Sequence, residues 1–222
     1  WEDDAIAALI KVSEKHKLRT HIVHLSSANS IAQLKAAKEK GTPISVETCP
    51  HYLFFNAETI VDADPRFKCT PPIREKENND QLWNALVDGT IDFVVTDHSP
   101  APPEIKSMKD GNLKEAWGGI STLQFELPII WSMAMERDVS LETISAWMST
   151  KIADFLKLTN KGRIQIGADA DLVVWNPVKK MKVSPALMRF RHPISPYEGV
   201  MLSGLVEKTY VGGELVYDKG SF

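Results

Sequence analysis

The sequence predicts an α/β fold with a parallel sheet, followed by a smaller β segment. Short apolar runs alternate with helical patterns over residues 1–160, as in chains built from βα units. Polar or ionisable residues follow several of these runs directly, where α/β enzymes place their chemistry. After residue 160, strand and turn patterns replace the helical ones. We therefore predict one domain at 1–160 and a small β domain segment at 161–222.

The predicted elements of the first part are assigned from periodicity and stop signals. β-branched runs mark strands, apolar spacing of three and four marks helices, and Gly41 and Gly89 end two of the helices. In chain order we predict a helix with Ala5, Ile6, Leu9 and Val12 on one face, a strand at 19–25, a helix at 30–40, a strand at 43–47, a short strand at 67–72, a helix at 79–87 and a buried strand at 91–95.

The rest of the chain begins with a region that lacks periodicity. Residues 101–114 are rich in Pro, Lys and Asp, and we predict a surface loop over the site. Further along, Pro128 should kink a helix or mark its first turn. Three helices are predicted next: one at 121–135, one that begins at Ser140 and buries Ile144 and Met148, and one at 153–158. After them we predict two strands joined by a turn within 162–175, a linker at 185–196 and a hairpin at 205–217 around Gly212 and Gly213.

Composition and charge exclude several classes of function. The 222 residues are 43% hydrophobic and 25% charged, with a net charge of -3. Such values give no reason to expect nucleic acid or an anionic membrane as partner, and no apolar run approaches the roughly 20 residues that cross a bilayer. Cys49 and Cys69 are too few for a disulfide framework. We expect both to be small buried residues and the protein to be cytoplasmic.

Three ionisable side chains follow predicted strands: His24, His51 and Asp97. Each has an ordinary structural explanation, as a hydrogen-bonded core histidine, a turn residue and a helix N-cap respectively. Together they form the ligand set that divalent ions such as Zn²⁺ take from separate elements. Three such residues at successive strand ends favour the metal site. His21, three residues before His24, should face the other way and hydrogen-bond beside the site.

Five motifs extend over nearly the whole chain: His24–Ser27, Glu47–Tyr52, Pro71–Arg74, Thr96–Pro100 and Gly167–Val173. With them the chain resembles the C-terminal half of the cyclic amidohydrolases, the family of the dihydroorotases, hydantoinases and allantoinases. The resemblance implies a TIM-type (β/α)8 barrel, of which this chain carries about four βα units, and part of a small β-sandwich domain. It also implies a homo-oligomer that acts on a small molecule.

The resemblance further implies a cofactor and names what this sequence does not contain. Family members bind two divalent metals, Zn²⁺ being our expectation and Co, Fe or Mn the alternatives, through a His-x-His pair and a carbamylated lysine. No His-x-His occurs here, and a full barrel takes about 250 residues. We therefore expect the sequence to be a fragment, with the carbamylated lysine upstream, that binds metal weakly and has no useful turnover alone.

The resemblance assigns roles to the candidate ligands. His24 and His51 would hold one metal. Asp97 would bind the other, take a proton from the attacking hydroxide and pass it to the leaving ring nitrogen; a role as ligand only is the alternative. We also expect His98 to support the metal ligands without binding the metal itself.

The substrate is predicted from a second set of residues. The run Ala116–Gln124, with Lys68–Pro72, is most similar to the allantoinases, which open the allantoin ring to allantoate. We expect the ureido ring to bind at four positions: Thr70, Ser99, Gly118 and Gly119. Ordinary turn chemistry is the alternative for the two glycines. A dihydropyrimidinase, hydantoinase or dihydroorotase activity and a non-catalytic oligomeric scaffold are the competing functions; Ala101 stands after Pro100, which counts against dihydroorotase.

Overall fold

A computed structural model describes residues 1–221, which form two compact units. The first consists of Trp1–Leu123 with Arg189–Pro196, and the second of Gln124–Met188 with the segment from Tyr197 onward. These units are defined by contacts within the chain and do not locate the boundary between two domains. The division at residue 160 therefore stays a prediction. Within 1–221, no helix is long and apolar enough to cross a membrane.

The first unit is built on a parallel three-stranded sheet. Its elements are α1 (Glu2–His16), β1 (Thr20–Ile22), α2 (Ile31–Glu39), β2 (Ile44–Thr48), α3 (Pro50–Phe54), α4 (Lys76–Val87) and β3 (Phe93–Val94). The strand order is β1-β2-β3, with His21 beside Ser45 and Glu47 beside Phe93. Parallel strands need crossover connections, which α2 and the segment containing α4 provide. The predicted α/β class with a parallel sheet is confirmed.

The predicted short strand at 67–72 does not form. A 3-10 helix occupies Pro65–Phe67, and β2 pairs directly with β3. Pro71 and Pro72 have no N–H group to donate to a neighbouring strand. The sheet of this unit therefore has three strands where the sequence predicted four βα units.

The buried face of α1 also differs from the prediction. Ile6, Ile10 and Ser13 are buried, whereas Leu9 and Val12 are 42% and 45% exposed. Ser13 is fixed on the inner side because its Oγ donates to the carbonyl oxygen of Leu18, 2.7 Å away, beyond the end of the helix. The buried stripe therefore includes a polar residue whose hydroxyl is satisfied, and it differs from the one that hydrophobicity alone indicated.

In the second unit, the helix capped by Ser140 begins as predicted, whereas the helices predicted from 121 and 153 begin at Glu126 and Lys151. They are α5 (Glu126–Met135), α6 (Leu141–Ser145) and α7 (Lys151–Phe155), with a π-helical segment at Ala146–Thr150. Pro128 lies in the first turn of α5, where its missing N–H has no partner to lose. Ser140 caps α6 by accepting from the Thr143 amide. Ile144 is buried as predicted, but Met148 is only half-buried, and the neighbouring Trp147 is the buried residue of this turn.

An antiparallel sheet completes the second unit. β4 (Leu172–Lys182), β5 (Met201–Val211) and β6 (Glu214–Asp218) pair in that order. The predicted hairpin around Gly212 and Gly213 is confirmed; both glycines have positive φ, which suits the tight turn. The predicted strand before Gly167 is absent, and Ile164 and Ile166 are exposed. α5 packs on this sheet, where the rings of Trp131 and Trp175 meet edge to face at 5.3 Å.

Candidate metal centre and adjoining pocket

The carboxyl ends of β2 and β3 bring metal-type side chains together. One ligand atom each from Cys49, His51 and Asp97 lies within 4.8 Å of the other two. Parallel strands end at the same edge of a sheet, which is why residues distant in sequence meet there. The structure thus brings the predicted ligands His51 and Asp97 together. Cys49 is buried, as expected, but its place within ligand distance of this group was not predicted.

Among the described residues, His24 is not one of the three side chains whose ligand atoms meet within 4.8 Å. The positive charge that His24 can carry lowers the pKa of both His51 and Asp97. His24 and Asp97 share an unusual backbone, with φ of 40° and 42°. Left-handed conformations are uncommon for residues with a side chain and concentrate at functional sites. Both residues lie shortly after their strands, β1 and β3.

His51 is the most enclosed of the predicted ligands. It is 1% exposed, and neither ring nitrogen has a hydrogen-bond partner. Burial, with smaller contributions from the charges of His24 and Lys106, lowers the pKa of His51 to about 3. The ring is therefore neutral at pH 7 and has a lone pair to offer. Buried polar atoms without partners are rare in folded proteins, so these nitrogens, together with the unpaired Nδ1 of His24, fit a bound divalent cation.

Asp97 completes the group from the exposed side. Burial raises the pKa of its carboxyl group, the charge of His24 lowers it and the charge of Glu47 raises it. Glu47 is itself engaged: its Oε2 lies 2.9 Å from Nε2 of His21, whose Nδ1 lies 2.8 Å from Oγ of Ser45. Both ring nitrogens of His21 are thus occupied. His21 hydrogen-bonds beside the site, as the strand alternation predicted.

The four predicted substrate-binding residues form one cluster. A Cβ atom on Gly118 would lie 2.7 Å from Oγ1 of Thr70, and one on Gly119 would lie 2.4 Å from Oγ of Ser99. Nε1 of Trp117 donates to the same Ser99 oxygen at 3.0 Å. Gly118 and Gly119 are not among the residues with positive φ. They are therefore needed for close approach rather than for a turn, and their role in binding substrate stays a prediction.

Gly119→Ala tests this close approach. We expect it to lower the free energy of unfolding by about 1–3 kcal/mol, the range for an overpacked site, because the new Cβ would lie 2.8 Å from the backbone oxygen of Ser99. Gly118→Ala is the matched variant: its clash is with a hydroxyl that can rotate, so a smaller loss is expected. Denaturant unfolding measures both, and an equal or smaller loss for Gly119→Ala would contradict the packing argument.

His98 holds the segment that follows Gly119. Its Nδ1 accepts hydrogen bonds from the amides of Thr122 at 3.0 Å and Leu123 at 3.2 Å, so the neutral ring carries its proton on Nε2. Burial lowers the pKa of the ring, and Phe190 packs against its edge at 5.3 Å. These contacts make His98 an anchor for the chain after Gly119. Support of the metal ligands themselves stays a prediction.

Two further side chains organise the site and were not predicted. Glu2 accepts from the amides of Ser26 and Ser27, at 2.8 and 3.0 Å, and pairs with Arg74 at 2.7 Å, which fixes the turn that follows His24. Lys106 is buried inside the irregular loop. An acid in a helical first turn and a lysine in a polar loop are common features, so neither residue gave a sequence signal.

Comparison with known proteins gives relatives along the whole chain. A family model described as "Amidohydrolase family" matches residues 2–216. A protein named allantoinase from Arabidopsis thaliana is 47% identical over 230 residues, covering 99% of this chain and 46% of the relative. An allantoinase from Streptomyces avermitilis is 45% identical over 221 residues, covering 100% of this chain and 49% of the relative. The chain spans about half the length of the curated relatives it matches.

Solved structures show the same architecture. The L-hydantoinase (dihydropyrimidinase) of Arthrobacter aurescens superposes with a TM-score of 0.93 at 28% identity, covering 99% of this chain and 49% of that one. The dihydropyrimidinase of Brevibacillus agri gives 0.92 at 28% identity, again with 99% and 49% covered. These matches extend across both compact units.

Proposed function

Because the chain belongs to the amidohydrolase family, we propose that the protein, at its natural length, hydrolyses allantoin to allantoate. The observation that carries the hydrolase assignment is that ligand atoms of His51 and Asp97 lie within 4.8 Å of each other, with both nitrogens of His51 unpaired. The choice of allantoin rests on relatives named allantoinase at 45–47% identity along this chain.

The family is generally metal-dependent, and the group of Cys49, His51 and Asp97 suits a divalent cation such as Zn²⁺; we propose that the protein binds two such cations. His24 and His51 would hold one cation and Asp97 the other, with the remaining ligands, including a carbamylated lysine, outside this sequence. When bound, the cations supply Lewis-acid polarisation and a more acidic water. Cys49 lies close enough to add a thiolate, which would favour Zn²⁺ over harder ions.

The protein groups then bind the ring and move protons. Asp97 is exposed at the edge of the group, so it can reach a substrate as general base and return the proton to the ring nitrogen. Gly118 and Gly119 lie against Thr70 and Ser99 with no space for a side chain, so a flat ureido ring could approach the backbone of this cluster. The surrounding burial of His51 excludes water from its side of the site.

A hydantoinase activity is the second candidate, because the hydantoinase structures superpose so closely. Their identity to this chain, 27–28%, is well below the 45–47% of the allantoinases. Substrate choice depends on a few pocket residues rather than on the fold, so the allantoinase likeness has the greater weight. A metal-free scaffold of the same family would have no need for the unpaired imidazole of His51.

The deciding experiment assays the natural-length protein, loaded with Zn²⁺, on allantoin, hydantoin and dihydrouracil in parallel. We expect kcat/KM to be largest for allantoin, with allantoate as the product. A larger value for hydantoin or dihydrouracil would favour the hydantoinase. Absence of turnover on all three rings, with no metal found by elemental analysis, would favour the scaffold.

A further inference from the structure

Lys106 forms an unusual hydrogen-bond centre beside the substrate cluster. Its side chain is 4% exposed, although it belongs to a loop without a regular helix or strand. Nζ donates to the backbone oxygens of Lys68 at 2.8 Å, Trp117 at 2.9 Å and Gly119 at 2.6 Å. An ammonium group has three N–H donors, and each has a carbonyl acceptor.

The three carbonyls belong to the two segments that carry predicted substrate contacts. Lys68 stands two residues before Thr70, and Trp117 and Gly119 flank Gly118. In a trans peptide the C=O and the following N–H point in opposite directions. Holding the Trp117 oxygen on the ammonium therefore directs the Gly118 N–H away from Lys106. The three hydrogen bonds of Lys106 also hold the two segments in which Gly118 lies against Thr70.

A lysine is a costly way to fill this space. Burial of a charge is unfavourable unless it is well hydrogen-bonded, and here burial lowers the pKa of Lys106 to about 8. Cys69 and Asp64 raise that pKa and Lys68 lowers it. A methionine would fill a similar volume without this cost. The ammonium is therefore explained by the carbonyl groups that it holds, not by packing.

We infer that Lys106 is a positioning residue: it fixes the Lys68–Thr70 and Trp117–Gly119 segments so that the Gly118 amide points at the ureido oxygen of the substrate. The inference rests on the proposed hydrolysis of a ureido ring. Lys106 acts through Gly118, which makes it a determinant of substrate binding rather than a participant in proton transfer.

Lys106→Met, Lys106→Gln and the control Lys109→Met, an exposed lysine of the same loop, test this in the natural-length, Zn²⁺-loaded protein. We expect both Lys106 variants to raise KM for allantoin about ten-fold, as loss of such charged hydrogen bonds implies, with kcat and metal content near wild type. Lys109→Met should match wild type. The KM ratio of Lys106→Met to wild type should shrink above pH 8, because there the wild-type amine loses its charge and one donor; substrate ionisation cancels in this ratio.

The outcomes separate the inference from the function on which it rests. An inactive wild type would reject the proposed hydrolysis. An active wild type with an unchanged KM in Lys106→Met, or a KM ratio that does not vary with pH, would overturn the positioning role. If neither Lys106 variant gives a cooperative thermal transition, the role is purely structural and the inference is likewise overturned.

Discussion

Asp97→Asn in the natural-length protein is expected to lower kcat for allantoin about 10³-fold, within the range for loss of a general base, while metal content stays near wild type. Asparagine keeps the shape of the side chain and one oxygen donor, but it cannot take up a proton at neutral pH. It also tolerates the left-handed backbone that Asp97 adopts with φ of 42°. The substitution therefore removes the proposed base without disturbing the turn.

Elemental analysis and steady-state kinetics on the same preparation check this expectation. Asp62→Asn is the control, since Asp62 is exposed and should show wild-type kinetics. Parallel loss of metal and turnover in Asp97→Asn would show that Asp97 acts as a ligand only. Retention of full turnover would remove Asp97 from the chemistry altogether.

His51→Ala is expected to weaken metal binding by about 100-fold or more, since even loss of a residue that only supports a ligand costs 10–100-fold. The imidazole is buried and both nitrogens lack partners among the described residues, so a cation would lose one of the two imidazole donors proposed for it. Turnover should fall in step with occupancy. A metal titration measures the change in affinity, and an activity assay of the same samples measures the change in turnover.

His16→Ala serves as the control for His51→Ala, because His16 is exposed near the end of α1. It should bind metal and turn over substrate as the wild type does. If His51→Ala retained full metal affinity, the site would have to be built from other donors.

The ends of the strands could be predicted well from the sequence, and the residues between them less well. Apolar runs located β2 and β3, and the polar residues just beyond them, His51 and Asp97, meet in the structure. This works because strand burial is a local, two-residue pattern and parallel strands share an edge. The α/β class and the small antiparallel sheet followed from the same patterns and fit a partial TIM-type barrel with a small sheet domain.

Other features depended on contacts that no local pattern encodes. The buried face of α1 includes Ser13, a polar residue whose hydroxyl donates to Leu18 and which a hydrophobic pattern does not select. The strand expected at 67–72 failed because two prolines outweigh the apolar residues around them. Lys106 could not be found at all: its acceptors lie 38, 11 and 13 residues away in sequence, and only the folded loop brings them together.

The left-handed backbone at His24 and Asp97 limits which residues can replace them during evolution. β-branched residues fit such a backbone poorly, whereas Asn, Asp, His and Gly fit it well. A descendant that had abandoned catalysis would still be held to nearly the same choices at these two positions by folding alone. His51 stands on the helix α3, where many residue types are tolerated. A histidine at position 51 is therefore better evidence of selection for catalysis than a histidine at position 24 or an aspartate at position 97.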